Sequence, residues 1–166
     1  MLVNARFALF CALIVGLSTV TLADTLIGKV VAVADGDTIT VLDGQQAQHK
    51  IRLMGIDCPE KAQPFGQVAK KSLSDQVFDR FVSVEWQKLD RYGRIVGKVL
   101  VSGQDANLEQ VRRGLAWHFK KYDREQEPLD RATYSQAEIE ARMNNRGLWS
   151  DPEPIPPWDW RKIKKK

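Results

Sequence analysis

The stretch LIGKVVAVADGDTITVLDGQQAQHKIRLM, residues 26–54, contains three short apolar segments separated by turn residues. The first segment is rich in β-branched residues, and apolar and polar residues alternate through the other two, 37–42 and 48–54. A period of two places one face of a strand in the core and the other towards solvent. Asp43 and Gly44 form a dipeptide that favours tight hairpins. The stretch therefore predicts a meander of three strands.

Beyond this meander the hydrophobic period changes and then changes back. Apolar residues within 66–78 recur every three to five positions, which is typical of an amphipathic helix. Segments 81–86 and 94–101 return to a period of two and predict a fourth and a fifth strand. Further helices are predicted at 105–114 and at about 130–145. This is the element order of an OB-fold, so we expect an α+β protein with a five-stranded β-barrel and three α-helices.

The first 23 residues have the composition of an export signal. Arg6 precedes the apolar run FALFCALIVGLSTV, which is shorter than the roughly 20 residues that a membrane span needs. Thr21 and Ala23 have the small size and the spacing that signal peptidase reads, so we predict a signal peptide over 1–23. An exported protein, periplasmic or secreted and without a membrane span, is expected. An uncleaved N-terminal anchor is the alternative.

Cleavage after residue 23 leaves a chain long enough for one ordinary domain, which we predict to be 24–150, followed by a tail over 151–166. Cys11 is lost with the signal, which leaves Cys58 and makes an internal disulfide impossible. Stability must then come from packing, and we expect a monomer.

Positive charge is concentrated in the tail. The last six residues, 161–166, read RKIKKK, whereas 24–160 carry 19 basic against 21 acidic residues. The high isoelectric point is therefore no evidence for a basic surface on the body. The tail either contacts phosphates or anionic lipid through charge alone or is a solvated end. Four prolines between 152 and 157 predict an extended segment, which Trp158 and Trp160 anchor to the body.

Charged residues occur at the end of the third strand in RLMGIDCPE, residues 52–60. Each ion loses hydration next to apolar residues, and this cost is tolerated only if another group compensates it. Asp37, in the motif ADGDT, begins the second strand, and Asp57 follows the third. If strands one and three are neighbours, these carboxylates converge at one rim of the barrel. Two hard oxygen donors suit Ca²⁺ or Mg²⁺, and no His or Cys cluster has the spacing of a zinc site. By itself, DGD is more typical of a solvated turn.

Two arginines provide a candidate site for an anion. Arg52 lies in the third strand and Arg94 in the motif DRYGR, and a guanidinium can hold phosphate oxygens through two parallel hydrogen bonds. Arg52 and Asp57 are five residues apart, which places them on opposite faces of an ideal strand. Both reach one site only if the strand bends, and Gly55 is the natural place for a bulge.

In their order and spacing, ADGDT, IRLMGIDCPE and DRYGR resemble the catalytic segments of the staphylococcal nuclease family. The resemblance covers roughly residues 26–150 and includes ANLEQVRRGLAW and NNRGLWS. It implies a Ca²⁺ site, a phosphate site and a nucleotide site. The implied Ca²⁺ ligands are the side chains of Asp37 and Asp57 and the main-chain carbonyl of Cys58, with Asp35 acting through water. The implied catalytic residues are Arg52, Arg94 and Glu60, with Glu60 as the general base, and the implied nucleotide contacts are Tyr92 and Tyr122.

The chain departs from the family pattern at two places near this site. The loop 60–66, EKAQPFG, is shorter than the lysine-bearing loop of the prototype, and Lys120 replaces the first of two tyrosines. Both changes affect contacts with the nucleotide base rather than with the phosphate.

Two functions are consistent with these residues. The first is a Ca²⁺-dependent endonuclease that acts on DNA and RNA, prefers single strands and leaves 3′-phosphate ends. The second is a catalytically silent OB-fold module that binds nucleic acid or a protein partner. A silent copy need not keep all five of the catalytic and metal-binding side chains, and this chain has every one of them.

Overall fold

A computed structural model describes residues 24–163 as one barrel with helices packed around it. The longer strands are β1 (Asp24–Val33), β2 (Thr38–Asp43), β3 (Gln48–Leu53), β5 (Phe81–Leu89) and β6 (Ile95–Val101). The two-residue strands are β4 (Ile56–Asp57), β7 (Gln104–Asp105) and β8 (Trp117–His118). The helices are α1 (Gly66–Val77), α2 (Ala106–Arg112), α3 (Pro128–Met143) and α4 (Pro157–Ile163), with 3₁₀ turns at Lys120–Glu125 and Gly147–Ser150.

The five longer strands close into a barrel. Their order is β3-β2-β1-β5-β6, all antiparallel, and a parallel pairing of β3 with β6 joins the two edges. The five-stranded barrel and the α+β class predicted from the sequence are confirmed. One assumption was wrong: β1 and β3 are not neighbours, because β2 lies between them. The predicted convergence of the acidic residues therefore depends on the β2–β3 hairpin instead.

Alternating side chains from the strands fill the barrel. Along β6 every second residue is buried, as the period of two predicts. Leu73 and Val77 of α1 and Val111 of α2 are fully buried against the barrel. The strand residues in the same core include Val30, Ile39, Val41, Ile51, Leu53, Val84 and Val99. Each such side chain contributes about 1.5 to 3 kcal/mol of hydrophobic stabilisation.

The C-terminal segment corrects the prediction of an extended tail. Pro157 occupies the first position of α4. A proline is tolerated there because its missing N–H group would have no hydrogen-bond partner within the helix. The prolines therefore position the start of a helix rather than exclude one. Trp158 packs against a second small core that contains Trp117, Leu148 and Trp149, in agreement with the predicted anchoring. Trp160 is half-buried.

Two sequence predictions concern membrane insertion and export. Among residues 24–163, no helix combines the length and apolar character needed to cross a membrane. The predicted signal peptide, residues 1–23, lies outside the described residues.

Asn107 of α2 fastens the barrel to the segment that carries the site. This fully buried side chain donates to the carbonyls of Met54 (3.0 Å) and Gly97 (3.1 Å) and accepts from the amide of Val99 (3.1 Å). Buried main-chain groups left without such partners lose their hydrogen-bonding energy entirely.

Replacing Asn107 with alanine is expected to lower the free energy of unfolding by about 2 to 4 kcal/mol, because three main-chain groups, two of them in buried contacts, lose a hydrogen-bond partner. Urea unfolding followed by circular dichroism measures this loss. Asn144→Ala is the matched control, since Asn144 donates to the Glu140 carbonyl at an exposed helix end. Equal losses in the two variants would contradict the fastening role of Asn107.

Candidate active site

A cleft of about 1120 Å³ opens at the rim of the barrel where β2 begins and β3 ends. Its walls come from the Asp35–Asp37 turn, the β3–β4 turn, the β5–β6 turn, β8 and α4. The predicted site residues that line it are Asp35, Asp37, Arg52, Asp57, Cys58, Glu60, Tyr92, Arg94 and Tyr122. The fold therefore brings the side chains singled out in the sequence to one cleft, although not all of them contact one another.

The turn before β2 presents the first carboxylates. Asp35 Oδ1 accepts a hydrogen bond from the Asp37 amide (3.1 Å), which orders the turn. Gly36 is required between them, because a Cβ atom there would lie 2.7 Å from the Cβ atom of Cys58 and 2.8 Å from that of Ala69. Burial, and after it the neighbouring Asp37 carboxylate, raises the pKa of Asp35 to about 6.

A sharp turn after β3 turns Asp57 back towards Arg52. Gly55 has a φ of +76°, in the left-handed region, and an added Cβ atom would meet the Gln126 side chain at 2.2 Å. The chain bends at the glycine, as expected, but the bend is a complete turn rather than a bulge. It makes Asp57 part of the separate strand β4, which pairs with β8.

Arg52 lies between the two buried aspartates. Its Nη2 atom donates to Asp57 Oδ1 (2.8 Å), and its Nη1 atom lies 2.5 Å from Asp37 Oδ2 in an ion pair without hydrogen-bond geometry. Asp57 is 1% exposed and Asp37 is 6% exposed. Burial raises the pKa of Asp57, and it also opposes the charge of Arg52, whose pKa is nevertheless raised by the two carboxylates.

Cys58 contributes through its main chain. Its amide donates to Asp37 Oδ2 (2.7 Å), which links β4 to the turn before β2. Its thiol donates to the Gly36 carbonyl (3.1 Å), and burial raises the pKa of this thiol well above the ordinary value. The buried thiol therefore stays protonated and serves packing.

Glu60 lies at the mouth of the cleft and has a partner that the sequence did not indicate. Arg161 of α4 donates from Nη1 to Glu60 Oε1 (2.7 Å) and from Nη2 to Asp57 Oδ2 (2.7 Å). A weaker contact joins Nη1 to Asp57 Oδ1 (3.3 Å). Sequence reasoning missed Arg161 because it grouped this residue with the lysines of a charged end. The Pro157 helix start, one turn earlier, was the available signal.

Arg94 lines the same cleft from the turn between β5 and β6 and is held by a different carboxylate. Its Nε and Nη2 atoms each lie 2.7 Å from Asp90 Oδ2. Asp90 also accepts from the amides of Tyr92 (2.8 Å) and Arg94 (3.0 Å), and these bonds outweigh partial burial in lowering its pKa. The tight turn therefore orients Arg94 towards the cleft without joining it to the Arg52 cluster.

Aromatic side chains form the outer walls. Tyr92 is 69% exposed, and the Arg94 guanidinium carbon lies 5.5 Å from the centre of its ring. Tyr122 is also exposed and makes an edge contact with Phe119, their ring centres being 5.3 Å apart. Phe119 in turn stacks on Trp158 of α4 at 5.4 Å. The C-terminal helix thus supplies part of the wall.

The side chains of Lys120 and His118 are bound to neighbouring residues. Lys120 donates to Glu138 of α3 (2.9 Å), and His118 forms a hydrogen bond with Gln126 (2.8 Å). Glu138, which is buried, also accepts from the His118 amide (3.2 Å). These bonds hold β8 against α3, and β8 holds Asp57 through its pairing with β4.

The donors near Arg52 have the chemistry of a hard-cation site, since carboxylate and carbonyl oxygens suit Ca²⁺ or Mg²⁺. Asp57 Oδ2 already contacts a positive group, the Arg161 guanidinium. Within the described range 24–163, no group of three or more His, Cys, Asp or Glu side chains forms a ready-made metal site. The ligand set implied by the family resemblance, Asp37, Asp57 and the Cys58 carbonyl, has only two such side chains and is therefore not a group of this kind.

Comparison with known proteins agrees with this architecture. The family model for staphylococcal nuclease homologues matches residues 50–151. A protein named an uncharacterized endonuclease from Haemophilus influenzae is 42% identical over 137 residues, which cover 82% of this chain and 74% of the relative. A second protein of that name from Escherichia coli is also 42% identical, over 81% of this chain and 84% of its own. A micrococcal nuclease from Shigella flexneri is 40% identical over 83% of this chain and 82% of its own.

Fold, cleft and relatives together define an enzyme of the nuclease class. Two independent criteria, the family model and the identity over most of both chains, identify the group within that class. The chain belongs to the staphylococcal nuclease family. The resemblance inferred from the three short motifs is confirmed.

Replacing Arg52 with methionine is expected to lower the free energy of unfolding at pH 7 by about 3 to 5 kcal/mol, because two buried carboxylates lose their shared counter-charge. The folded-state pKa of Asp57, already raised by burial, would rise further, so the folded variant takes up protons as the pH falls. The loss of stability should therefore shrink as the pH falls towards the usual carboxyl pKa of about 4.

Urea unfolding across this pH range measures the effect. Arg113→Met is the control, since Arg113 forms an exposed ion pair with Glu109 on α2. The role given to Arg52 would be contradicted if Arg52→Met lost no more free energy of unfolding than Arg113→Met, or if its loss did not change with pH.

Proposed function

We propose that this protein is a Ca²⁺-dependent endonuclease that hydrolyses phosphodiester bonds of DNA and RNA, prefers single strands and leaves 3′-phosphate ends. The observation that carries the proposal is the buried arrangement of Arg52 between Asp37 and Asp57, in a cleft that Glu60 and Arg94 also line. Burying charges of both signs costs desolvation energy. A fold that nevertheless keeps them together is a candidate for a functional site.

The metal would be held by the side chains of Asp37 and Asp57 and by the main-chain carbonyl of Cys58, with Asp35 interacting through water. The hard oxygen chemistry of this set supports Ca²⁺. When bound there, the ion supplies Lewis acidity for phosphodiester hydrolysis.

Arg52 and Arg94 would both bind the scissile phosphate. Each guanidinium is already oriented by carboxylates, Arg52 by the buried aspartates and Arg94 by Asp90. A guanidinium that is oriented before the reaction loses little freedom when negative charge develops on the phosphate oxygens. The two arginines therefore stabilise the five-coordinate phosphorus more than the starting ester.

Glu60 would accept the proton of the attacking water. Its side chain is 41% exposed at the cleft mouth, where both water and a carboxylate base are available. The water oxygen forms a bond to phosphorus, the bond from phosphorus to the 5′ oxygen breaks, and that oxygen takes up a proton. The products are a 3′-phosphate and a 5′-hydroxyl.

The nucleotide would be bound by the aromatic walls. Tyr92 and Tyr122 have exposed rings against which bases could stack, and unpaired strands present their bases most readily. Lys121 borders the same cleft and adds positive charge there, whereas Lys88 and Lys120 are paired with Glu125 and Glu138. Stacking and backbone contacts do not distinguish DNA from RNA, which supports action on both.

We also propose that the protein is exported to the periplasm or beyond and acts as a monomer. The support for export is the composition of residues 1–23. A silent OB-fold module is the second candidate function, and the retention of Asp37, Arg52, Asp57, Glu60 and Arg94 in one cleft favours the enzyme over it.

Cleavage of single-stranded DNA by the purified protein is expected to require added Ca²⁺ and to stop with a chelator. Glu60→Ala and Arg94→Ala should each lower the rate by about 100-fold or more, because the first removes the base and the second a phosphate donor. A gel-based or fluorescent nuclease assay measures these rates.

Glu109→Ala and Arg113→Ala are the matched controls for these variants. They remove the same side chains from an exposed ion pair on α2. Activity that survives the chelator, or full activity in the Glu60 or Arg94 variant, would contradict the corresponding assignment. Absence of cleavage by the native protein would favour the silent module.

The chemistry of the product ends provides an independent test. An oligonucleotide with a fluorescent 5′ label should yield labelled fragments that end in a 3′-phosphate. Phosphatase treatment should remove this phosphate and its negative charge, so the electrophoretic mobility of the fragments should fall. Fragments that phosphatase leaves unchanged would contradict cleavage of the bond to the 5′ oxygen.

A further inference from the structure

The C-terminal helix places one guanidinium directly on the acidic part of the cleft. Arg161 contacts both oxygens of Asp57, at 3.3 Å and 2.7 Å, and Glu60 Oε1 at 2.7 Å. These contacts join residues that are about 100 positions apart in the chain. Burial opposes the charge of Arg161, but its hydrogen bonds to the two carboxylates raise its pKa above the ordinary value, so it remains charged.

Arg161 is held in this place by packing rather than by charge alone. Pro157 is buried, and the Trp158 ring stacks on Phe119 and meets the edge of Trp117, with ring centres 5.4 Å and 5.5 Å apart. Before the helix, Gln63 donates to the Ile155 carbonyl. The segment is therefore docked through the Ile155 carbonyl, Pro157 and Trp158, and this gives the Arg161 guanidinium a defined position.

The neighbouring basic residue behaves differently. Lys162 donates to Asp159 within α4 (2.8 Å), and its side chain is 75% exposed. The attraction of a basic tail for an acidic cleft does not explain this difference, because a non-specific attraction would treat both residues alike. The contact is thus specific to Arg161.

The same carboxylates cannot fully serve Arg161 and a metal ion at once. Arg52 contacts Asp57 Oδ1, and Arg161 has the shorter contact with Oδ2, so both oxygens of this buried carboxylate already interact with cations. A divalent ion that uses Asp57 must displace the Arg161 contact or weaken it. Arg161 also occupies Glu60 Oε1, one of the two oxygens through which this carboxylate could accept a proton from water.

Resting on the function proposed above, we propose that Arg161 is an internal cation that competes with the divalent metal for Asp57 and also covers Glu60. The docked C-terminal helix then sets the metal concentration at which the site loads. Competition of this kind is reciprocal, since metal binding weakens the contact of α4 to the same extent that α4 weakens metal binding. In the metal-free protein the guanidinium neutralises carboxylates that would otherwise repel one another.

The test is a calorimetric titration of CaCl₂ into the purified, metal-free protein without nucleic acid. Arg161→Gln is expected to bind Ca²⁺ about fivefold more tightly than the native protein, a modest factor because the Arg161 side chain is 42% exposed. Lys162→Gln is the matched control, since it removes the same charge from the same helix but leaves both carboxylates covered. Its affinity should stay close to the native value.

Thermal unfolding gives a second measurement that does not depend on the calorimetry. Without metal, Arg161→Gln should melt at a lower temperature than Lys162→Gln, because Asp57 and Glu60 lose a counter-charge. Saturating Ca²⁺ should raise the melting temperature of Arg161→Gln by more than that of the native protein. Arg161→Lys, which keeps the charge but not the planar fork, should fall between the native protein and Arg161→Gln in both measurements.

The outcomes separate this proposal from the proposed function. Calcium affinity that is unchanged or weaker in Arg161→Gln, while the native protein binds Ca²⁺, would overturn the competition and leave the nuclease assignment intact. An equal gain in affinity for Lys162→Gln would also overturn it, since net charge would then be the cause. Failure of every variant and of the native protein to bind Ca²⁺ would contradict the calcium site itself and this proposal with it.

Discussion

The site depends on the position of Arg52 between two aspartates that are almost completely buried. Two carboxylates this close to a hydrophobic core repel each other and lose hydration, and the guanidinium compensates both losses. The arrangement also joins the turn before β2 to the segment after β3. One charge cluster therefore closes this rim of the barrel and forms the floor of the cleft.

The barrel provides the geometry that this cluster requires. The β2–β3 hairpin places the turn before β2 beside the end of β3, and the Gly55 turn then reverses the chain so that Asp57 faces Arg52. Asn107 holds that turn from α2, and the pairing of β4 with β8 holds Asp57 from the other side. Each support comes from a different part of the chain, so the cleft forms only when the whole domain is folded.

The remaining walls come from the turn between β5 and β6 and from the C-terminal helix. Arg94 and Tyr92 reach the cleft from a tight turn organised by Asp90. The C-terminal helix adds Trp158 to the aromatic wall and Arg161 to the acidic floor. A segment that lies beyond the family-model match thus contributes side chains to the site of the matched domain.

The sequence by itself determined the strands, the main helices and the family, because hydrophobic period, hairpin residues and the order of three motifs are local properties. It also indicated the bend at Gly55, since Arg52 and Asp57 could not otherwise share a face. Only the tertiary structure decided that Asn107 of α2 binds the Met54 carbonyl, that β4 pairs with β8, and that Arg161 contacts Asp57 and Glu60. These are contacts between distant segments, and no local pattern encodes which of several equally charged residues a packed helix will direct into a cleft.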